Sequence, residues 1–591
     1  MSRRPIAVWA LILAAWGCQS TPAPSDDEGD RPAATQPDTP EALLEEAARA
    51  PEGRQARLYL VVAETFLADG DVTAAAETLA RVDVDRLSDR ETARYLLTRG
   101  RVALADGQLD QARAALLALD QELLEDPLQG ALANADLLVA EGRPQAAAEH
   151  LMFQAGAAPD DERQRSNDLV WAYLGKVPPF EVMAMESRSR GSDRGWWLLK
   201  SQMLASFTLS EQRQRLSAWR QAHPAHPAAV APPSALAPLD APLRPVARVG
   251  LMLPLSGPLS RAGKSVRDGF VATYLSRRDD VGFEILIYDT AAEPLSTLYE
   301  RALLEGAEVL IGPLAKETVA QMNELNPEIP VLALNYLGDE IPAANLLQLG
   351  LAIEDEAATL QQWLVDARAE RILAFHNGEE WSQRAMRVLS ASLGGSLTVQ
   401  MLEDIRTVTE SVGVAMHVSA SQERHDEIQG LLGERVEFLP RARGDVDAIV
   451  ALVTPLEASA LVPALRFHFA GRVPVYATSQ TVRGADPRRL RELNGFRVSE
   501  LPWFTREEES FAALNAAFDL GDSPFAALYA LGVDAFRLAD RAPLILAGHF
   551  TELLGSTGEL EFAANGRIER RLARAVISNG SVVPSTGIPG R

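Results

Sequence analysis

The sequence predicts a multidomain protein: an all-α solenoid of repeated helix pairs, followed by a two-lobed α/β domain. Three observations predict it. A glycine-centred turn recurs through the first half, and a proline-crowded stretch then ends the helical composition near residue 223. From Val249 a short apolar run, a turn and an amphipathic segment begin an alternation of strands and helices. At 591 residues the chain exceeds one hydrophobic core, so several domains are expected. A hydrophobic content of 47% suits globular folding, and a net charge of -24 argues against nucleic acid or anionic lipid as the main partner.

Residues 1–18 resemble an export signal. Arg3 and Arg4 give a positive start, and Ile6 to Ala15 form an apolar run too short to span a bilayer as a mature helix. The run ends Ala15-Trp16-Gly17-Cys18, similar to a bacterial lipobox, although Ala15 stands where leucine is usual and Trp16 is bulky for its place. Cys18 is the chain's sole cysteine, so it forms neither an intramolecular disulfide nor a thiolate zinc cluster. It is expected to be lipidated and to become the mature N-terminus. Gln19 after it resembles the sorting signal for the outer membrane, and several acyl chains make such an anchor stable.

Residues 19–40, rich in Pro, Ser, Thr and Asp, are expected to be a flexible tether. Residues 41–222 turn to Ala, Leu, Arg and Glu with apolar positions at helical spacing. Ala68-Asp69-Gly70, Ala105-Asp106-Gly107 and Ala140-Glu141-Gly142 repeat one turn, with glycines 37 and 35 residues apart. Five residues past each glycine stands an alanine (Ala75, Ala112, Ala147), and nine past stands a leucine (Leu79, Leu116, Leu151). The period is close to that of tetratricopeptide repeats, in which small residues let paired helices approach and larger ones fill the shared core. A degenerate fourth unit is expected around Trp171 to Gly175, and Trp196-Trp197 is expected to be terminal-helix core. Residues 223–245 carry seven prolines and read as a semi-rigid, extended connector; His223 and His226 within it lack acidic partners for a metal.

Residues 246–591 form the α/β part. Strands are expected at 249–253, 283–288, 309–311, 331–334, 346–349, 372–375, 448–453 and 475–477. Helices are expected at 295–305, 317–325, 354–366, 381–393 and 457–467. This alternation implies parallel sheets covered on both faces, and the length implies two lobes with a crossover near Gly350.

Gly257 to Ser265, GPLSRAGKS, imitates a phosphate-binding loop but has five residues, not four, between its first glycine and Gly-Lys. Pro258 has no N–H to offer a phosphate, so nucleotide binding is rejected. Neither G-x-S-x-G nor H-E-x-x-H is present, and the eight histidines have no ligand spacing. No catalytic residue, cofactor or metal is expected. In open α/β sheets ligands sit outside the carboxyl ends of strands, which makes Ser256, Gly257, Gly312, Pro313, Asn335, Tyr336, His376 and Asn377 the candidate cleft, with structural turn weighed above ligand contact.

The opening GLMLPLSGPLSRAGKSVRDGF, Gly312-Pro313-Leu314, Val331 to Asn335, Gly558 to Phe562 and Asn565-Gly566-Arg567 together resemble the type I periplasmic binding protein fold. With the lipoprotein signal and the tetratricopeptide-like part before it, the layout is similar to the LpoA-type lipoprotein activators of penicillin-binding proteins. That resemblance implies an outer-membrane lipoprotein whose α/β domain docks on a class A penicillin-binding protein. Docking would stimulate peptidoglycan synthesis while the activator itself catalyses nothing. Amino-acid-binding relatives place a small hydroxyl residue soon after the Gly-Pro turn. Here Leu314-Ala315-Lys316-Glu317 stands there, so a small-molecule ligand is not expected. The alternative is a solute-binding or sensory lipoprotein with a ligand in the interlobe cleft.

Overall fold

The computed structural model describes residues 39–241, 244–338, 340–433, 442–505, 509–518, 520, 523–550 and 552–585. Cys18 and nearly all of the expected tether lie outside these residues. The chain forms two compact units. Of the described residues, one holds those up to Val177 with Arg188–Trp196 and Ala225–Pro233; the other holds Pro178–Ser187, Trp197–Pro224 and those from Ser234 on.

In the helical unit the pairs are Glu52–Ala68 with Val72–Leu79, Asp89–Ala105 with Leu109–Leu117, and Pro127–Ala140 with Pro144–Ala157. Gly70, Gly107 and Gly142 take φ of 83°, 74° and 75°, the left-handed region that ends a helix without a Cβ clash. After each, a backbone N–H reaches five residues back: Asp71 to Phe66, Gln108 to Ala103 and Arg143 to Leu138. Ala75, Ala112 and Ala147 are fully buried, and Leu79, Leu116 and Leu151 nearly so. The fourth repeat expected at Trp171 to Gly175 is absent as such: Gly175 stays right-handed at φ -68°, so no such turn follows the helix Arg163–Leu174. Trp196 and Trp197 are buried, as expected.

The proline-crowded stretch is not extended. It makes short helices at Pro227–Val230 and Ala237–Asp240, with Ala228, Leu236 and Leu239 buried. Proline costs little in a first helical turn, where its missing N–H has no intrahelical partner anyway. His226 is spent structurally, its Nε2 2.9 Å from Ser192 O and its Nδ1 accepting from Ala228 N.

In the α/β unit the first lobe carries β1 (Arg248–Leu253), β2 (Glu284–Asp289), β3 (Val309–Ile311), β4 (Val331–Ala333) and β5 (Leu346–Gln348), all parallel in the order β2-β1-β3-β4-β5. The second lobe carries β6 (Ile372–His376), β7 (Leu397–Met401), β8 (Ala448–Leu452), β9 (Val475–Thr478) and β10 (Arg497–Glu500). A small antiparallel sheet, β11 (Glu552–Leu554), β12 (Glu559–Phe562) and β13 (Ile568–Arg571), packs into the core of the first lobe. β14 (Ala573–Ser578) and β15 (Ser581–Pro584) then complete the second sheet, ordered β15-β14-β10-β9-β8-β6-β7. All eight expected strands are present. The expectation of purely parallel sheets is corrected at the C-terminus, where β14 and β15 run antiparallel. The chain therefore crosses between lobes three times: after β5 beside Gly350, after β10, and between β13 and β14.

The helix opened by the Gly-Pro turn, Ser260–Ser276, crosses Ala526–Ala539 at close range. A Cβ on Gly269 would meet Tyr529 O at 2.2 Å, and one on Gly532 would meet Val266 O at 2.2 Å. Beside this crossing Phe270 packs edge-on against Phe536, ring centroids 5.6 Å apart. Helices from before the expected domain boundary complete this unit. The fully buried Arg541 donates through Nη1 to Phe207 O (3.0 Å) and through Nη2 to Ser206 O (3.2 Å), while Leu209 N donates to Asp540 Oδ2 (2.9 Å).

Glycine to alanine inside a helix ordinarily stabilises by up to about 1 kcal/mol. Gly269→Ala is expected to do the reverse, destabilising by about 2 kcal/mol or more, because the new methyl meets backbone that cannot move aside. Urea denaturation checks the sign.

Candidate functional site

The structure places the eight candidate cleft residues at the carboxyl ends of β1, β3, β4 and β6, where the topological rule put them. Their polar atoms are largely committed within the fold. Asp289, at the end of β2, accepts from Leu255 N (2.8 Å), Ser256 N (3.4 Å) and Ala291 N (3.0 Å). Burial raises the pKa of this carboxyl, but the Ser256 hydroxyl and these N–H groups outweigh it and hold the group below its ordinary range. Gly312 at φ 103° approaches β1 so closely that a Cβ would lie 2.0 Å from Met252 O. Pro313 O accepts from Leu334 N.

Asn335 donates to Leu314 O (3.1 Å) and accepts from Tyr336 N. The Tyr336 hydroxyl reaches Ile568 O (2.9 Å), and the Arg567 guanidinium lies 3.9 Å over its ring. On the second lobe His376 Nδ1 accepts from Gly378 N, and burial lowers the pKa of the imidazole. Asn377 donates to Glu457 Oε2 (3.1 Å). Among the described residues no hydrogen bond or ion pair joins His376 or Asn377 to the other six.

Residues that sequence reasoning did not single out tie the crossovers together. Arg570, last but one in β13, is almost fully buried; its Nε donates to Asp355 Oδ2 (3.0 Å), Nη1 to Thr557 O (3.1 Å) and Nη2 to Ala352 O (3.2 Å). One guanidinium thus holds the crossover after β5, the turn between β11 and β12, and its own strand. Thr359 accepts from Leu572 N at the third crossover (3.1 Å). One turn away, Glu356 accepts from the N and Oγ of Ser479 (2.7 and 2.8 Å), and Arg483 donates to the same Oγ. Glu500, where β10 leaves the sheet, accepts from Leu501 N (2.8 Å). Its carboxyl is pushed up to about 7, chiefly by burial and further by Glu356, against the pull of Arg483 and the Leu501 N–H. No local signal marked them: Arg570 stands in Ile-Glu-Arg-Arg, Glu500 ends Arg-Val-Ser-Glu, and Asp355 and Glu356 fall in an acidic first helical turn, patterns that also describe an exposed face.

A cavity of about 420 Å³ lies away from these strand ends, lined by Leu209, Arg213, Arg244, Phe283 and Leu544 among others. The Arg213 side chain is committed to Leu239 O and Ala241 O.

A helical-repeat unit in one chain with a two-lobed α/β unit, whose strand-end turns hold their own polar groups, defines a binding-protein-like scaffold. The chain belongs to the family described as "LppC putative lipoprotein", whose model matches residues 34–580. It is similar to the penicillin-binding protein activator LpoA of Dickeya chrysanthemi, 23% identical over 684 residues that cover 98% of each chain. It is also similar to the protein of that name from Aliivibrio fischeri, 24% identical over 599 residues and 97% of each chain. Among solved structures, a monoclinic crystal form of Haemophilus influenzae LpoA matches 93% of this chain and 98% of that one, with TM-score 0.57 and 20% identity. Full-length LpoA from the same organism at 1.97 Å resolution gives 0.53 over the same shares. These likenesses show the fold.

The Glu500 environment has a pH signature. With its folded pKa raised from 4.5 to about 7, the native state binds more protons than the unfolded chain in that window. Stability from this group is full below pH 4.5 and is lost as pH rises through 7. Glu500→Gln is expected to remove this loss, raising stability at pH 8 relative to pH 5 by on the order of 3 kcal/mol compared with wild type. Denaturant titrations at the two pH values check it; an unchanged difference refutes the assignment.

Proposed function

We propose that this chain is an outer-membrane lipoprotein, lipidated at Cys18, that binds a class A penicillin-binding protein from the periplasmic side and stimulates peptidoglycan synthesis. In this reading it is a non-catalytic regulator. The observation that carries it is coverage: relatives named as penicillin-binding protein activators match nearly the whole chain, helical unit and α/β unit alike. A solute receptor has no need of the helical unit. The polar commitments at Ser256, Asn335, Tyr336 and Asn377 agree with strand-end residues acting as structural turns. Activation requires differential affinity: the protein must bind the active conformation of the synthase more tightly than the inactive one.

The test uses the full mature chain, since Arg541 draws its acceptors from residues 206 and 207. Added to a purified class A penicillin-binding protein, it is expected to bind and to raise the rate of glycan polymerisation or cross-linking several-fold. A specific metabolite found by mass spectrometry of the purified protein, with no effect on the synthase, would sink the activator reading in favour of a solute receptor. Cys18→Ala is expected to move the protein from the outer-membrane fraction to the soluble periplasm, as fractionation and immunoblotting would read.

A further inference from the structure

One edge of the second lobe is charged against the trend of the chain. Residues 466–492 hold six arginines and two acidic residues, in a protein whose acidic residues outnumber Lys and Arg by 81 to 57. Topology gathers them. The helix Pro455–Phe467 ends just before β9, so its C-terminus lies at the edge where the parallel strands β8, β9 and β10 begin. The short helix Pro487–Glu492 lies at that same edge. A Cβ on Gly580, in the turn between β14 and β15, would meet Pro487 O at 2.7 Å and Arg491 Cγ at 3.1 Å, and β14 runs antiparallel to β10. The two helices are in contact, and Leu461, Ala464 and Leu465 of the first share one hydrophobic core with Leu490 of the second and Leu493 just after it. Arg466, Arg472, Arg488 and Arg491 are exposed, and none makes an ion pair among the described residues.

Two aromatic rings stand among these cations, Phe467 at 71% and Phe469 at 65% exposure. His468 between them turns inward, its Nε2 2.8 Å from Thr409 O, so the flanking rings are held outward. The helix ends as the three repeat turns do, with Ala470 N reaching Leu465 O (2.8 Å) and Phe469 N reaching Arg466 O (3.2 Å). In the repeat turns the left-handed position is Gly70, Gly107 or Gly142; here it is Phe469 at φ 63°. A bulky residue there costs folding energy that glycine would not. Such strain under an exposed ring, beside unpaired guanidinium groups, is the residue chemistry of a protein-binding hot spot.

We propose that this edge, with Arg466, Phe467, Phe469, Arg472, Arg488 and Arg491, docks on an acidic surface of the synthase that offers an apolar pocket for the rings. The inference rests on the activator reading. Guanidinium groups supply steering and carboxylate pairing, and the two rings supply the desolvated centre.

The test measures binding of the full mature chain and its variants to a purified class A penicillin-binding protein and, separately, to purified peptidoglycan sacculi. Arg466→Glu/Arg472→Glu/Arg491→Glu is expected to weaken synthase binding by about tenfold or more, while the corresponding triple lysine variant retains most of it. Phe469→Gly is expected to melt at the same temperature or higher and yet bind the synthase more weakly, a pair of results that a purely structural role does not produce. Wild-type affinity in the glutamate and glycine variants overturns the proposal and leaves the activator reading standing. Loss of sacculus binding alone overturns it in favour of a polymer site. Failure of the wild-type chain to bind the synthase overturns the activator reading and this surface with it.

Discussion

Three crossovers between two lobes set the central constraint on the α/β unit. A crossing strand leaves its ladder, so its backbone groups and the side chains around it need partners inside the protein. Arg570 meets that need for three segments at once, bonding to Asp355, Thr557 O and Ala352 O from an almost fully buried position. Asp534 does the same for the turn before β12, accepting from Ser556 N, Thr557 N and Thr557 Oγ1, each at 2.7 Å. A buried ion pair is weak evidence for net stability, since desolvation offsets much of the attraction. Its consequence is geometric. A planar guanidinium on β13 whose three acceptors come from the crossover after β5 and the turn between β11 and β12 accepts one arrangement of these segments.

The parts of this fold legible in the sequence were those written in a strong local code. Long apolar runs such as Val249 to Leu253 and Ala448 to Val453 became fully buried parallel strands, because only a strand covered on both faces is apolar throughout. The repeat glycines were legible because the left-handed turn admits few other residues. β11 to β15 were not, since strands of three to six residues, several of them carrying Glu or Arg, match an exposed hairpin as well as a sheet edge. The proline stretch misled because proline's donor loss matters inside a helix and hardly at all in its first turn.

For the candidate site, the strand-end rule picks out Ser256, Gly312, Asn335 and His376 from their places at the ends of strands and says nothing of where their polar atoms go. Those commitments depend on Asp289, Leu314 and Glu457, whose proximity is tertiary. Arg541 is the extreme case. Within Ala539-Asp540-Arg541-Ala542 it reads as part of a solvated helix end, yet it is fully buried against Ser206 O and Phe207 O, more than three hundred residues earlier. Burial lowers its pKa, with Asp540 beside it as the counter-charge. The unit therefore recruits helices that composition alone assigns to the preceding domain.

These commitments bear on how such a scaffold acts on a partner. A receptor that closes on a solute gains its free energy from polar groups left waiting in the cleft and from a hinge that bends at little cost. Here the strand-end groups of the first lobe already bond to their own turns, and the crossovers carry buried charges. Separating one such charge from its partner costs about 3–5 kcal/mol, more than the 1–3 kcal/mol typical of allosteric coupling. Under the activator reading the binding energy is then drawn from an outer face, where exposed rings stand beside guanidinium groups that make no ion pair among the described residues. A scaffold held in one conformation is suited to that task, because it selects one conformation of its partner without spending energy on rearranging itself.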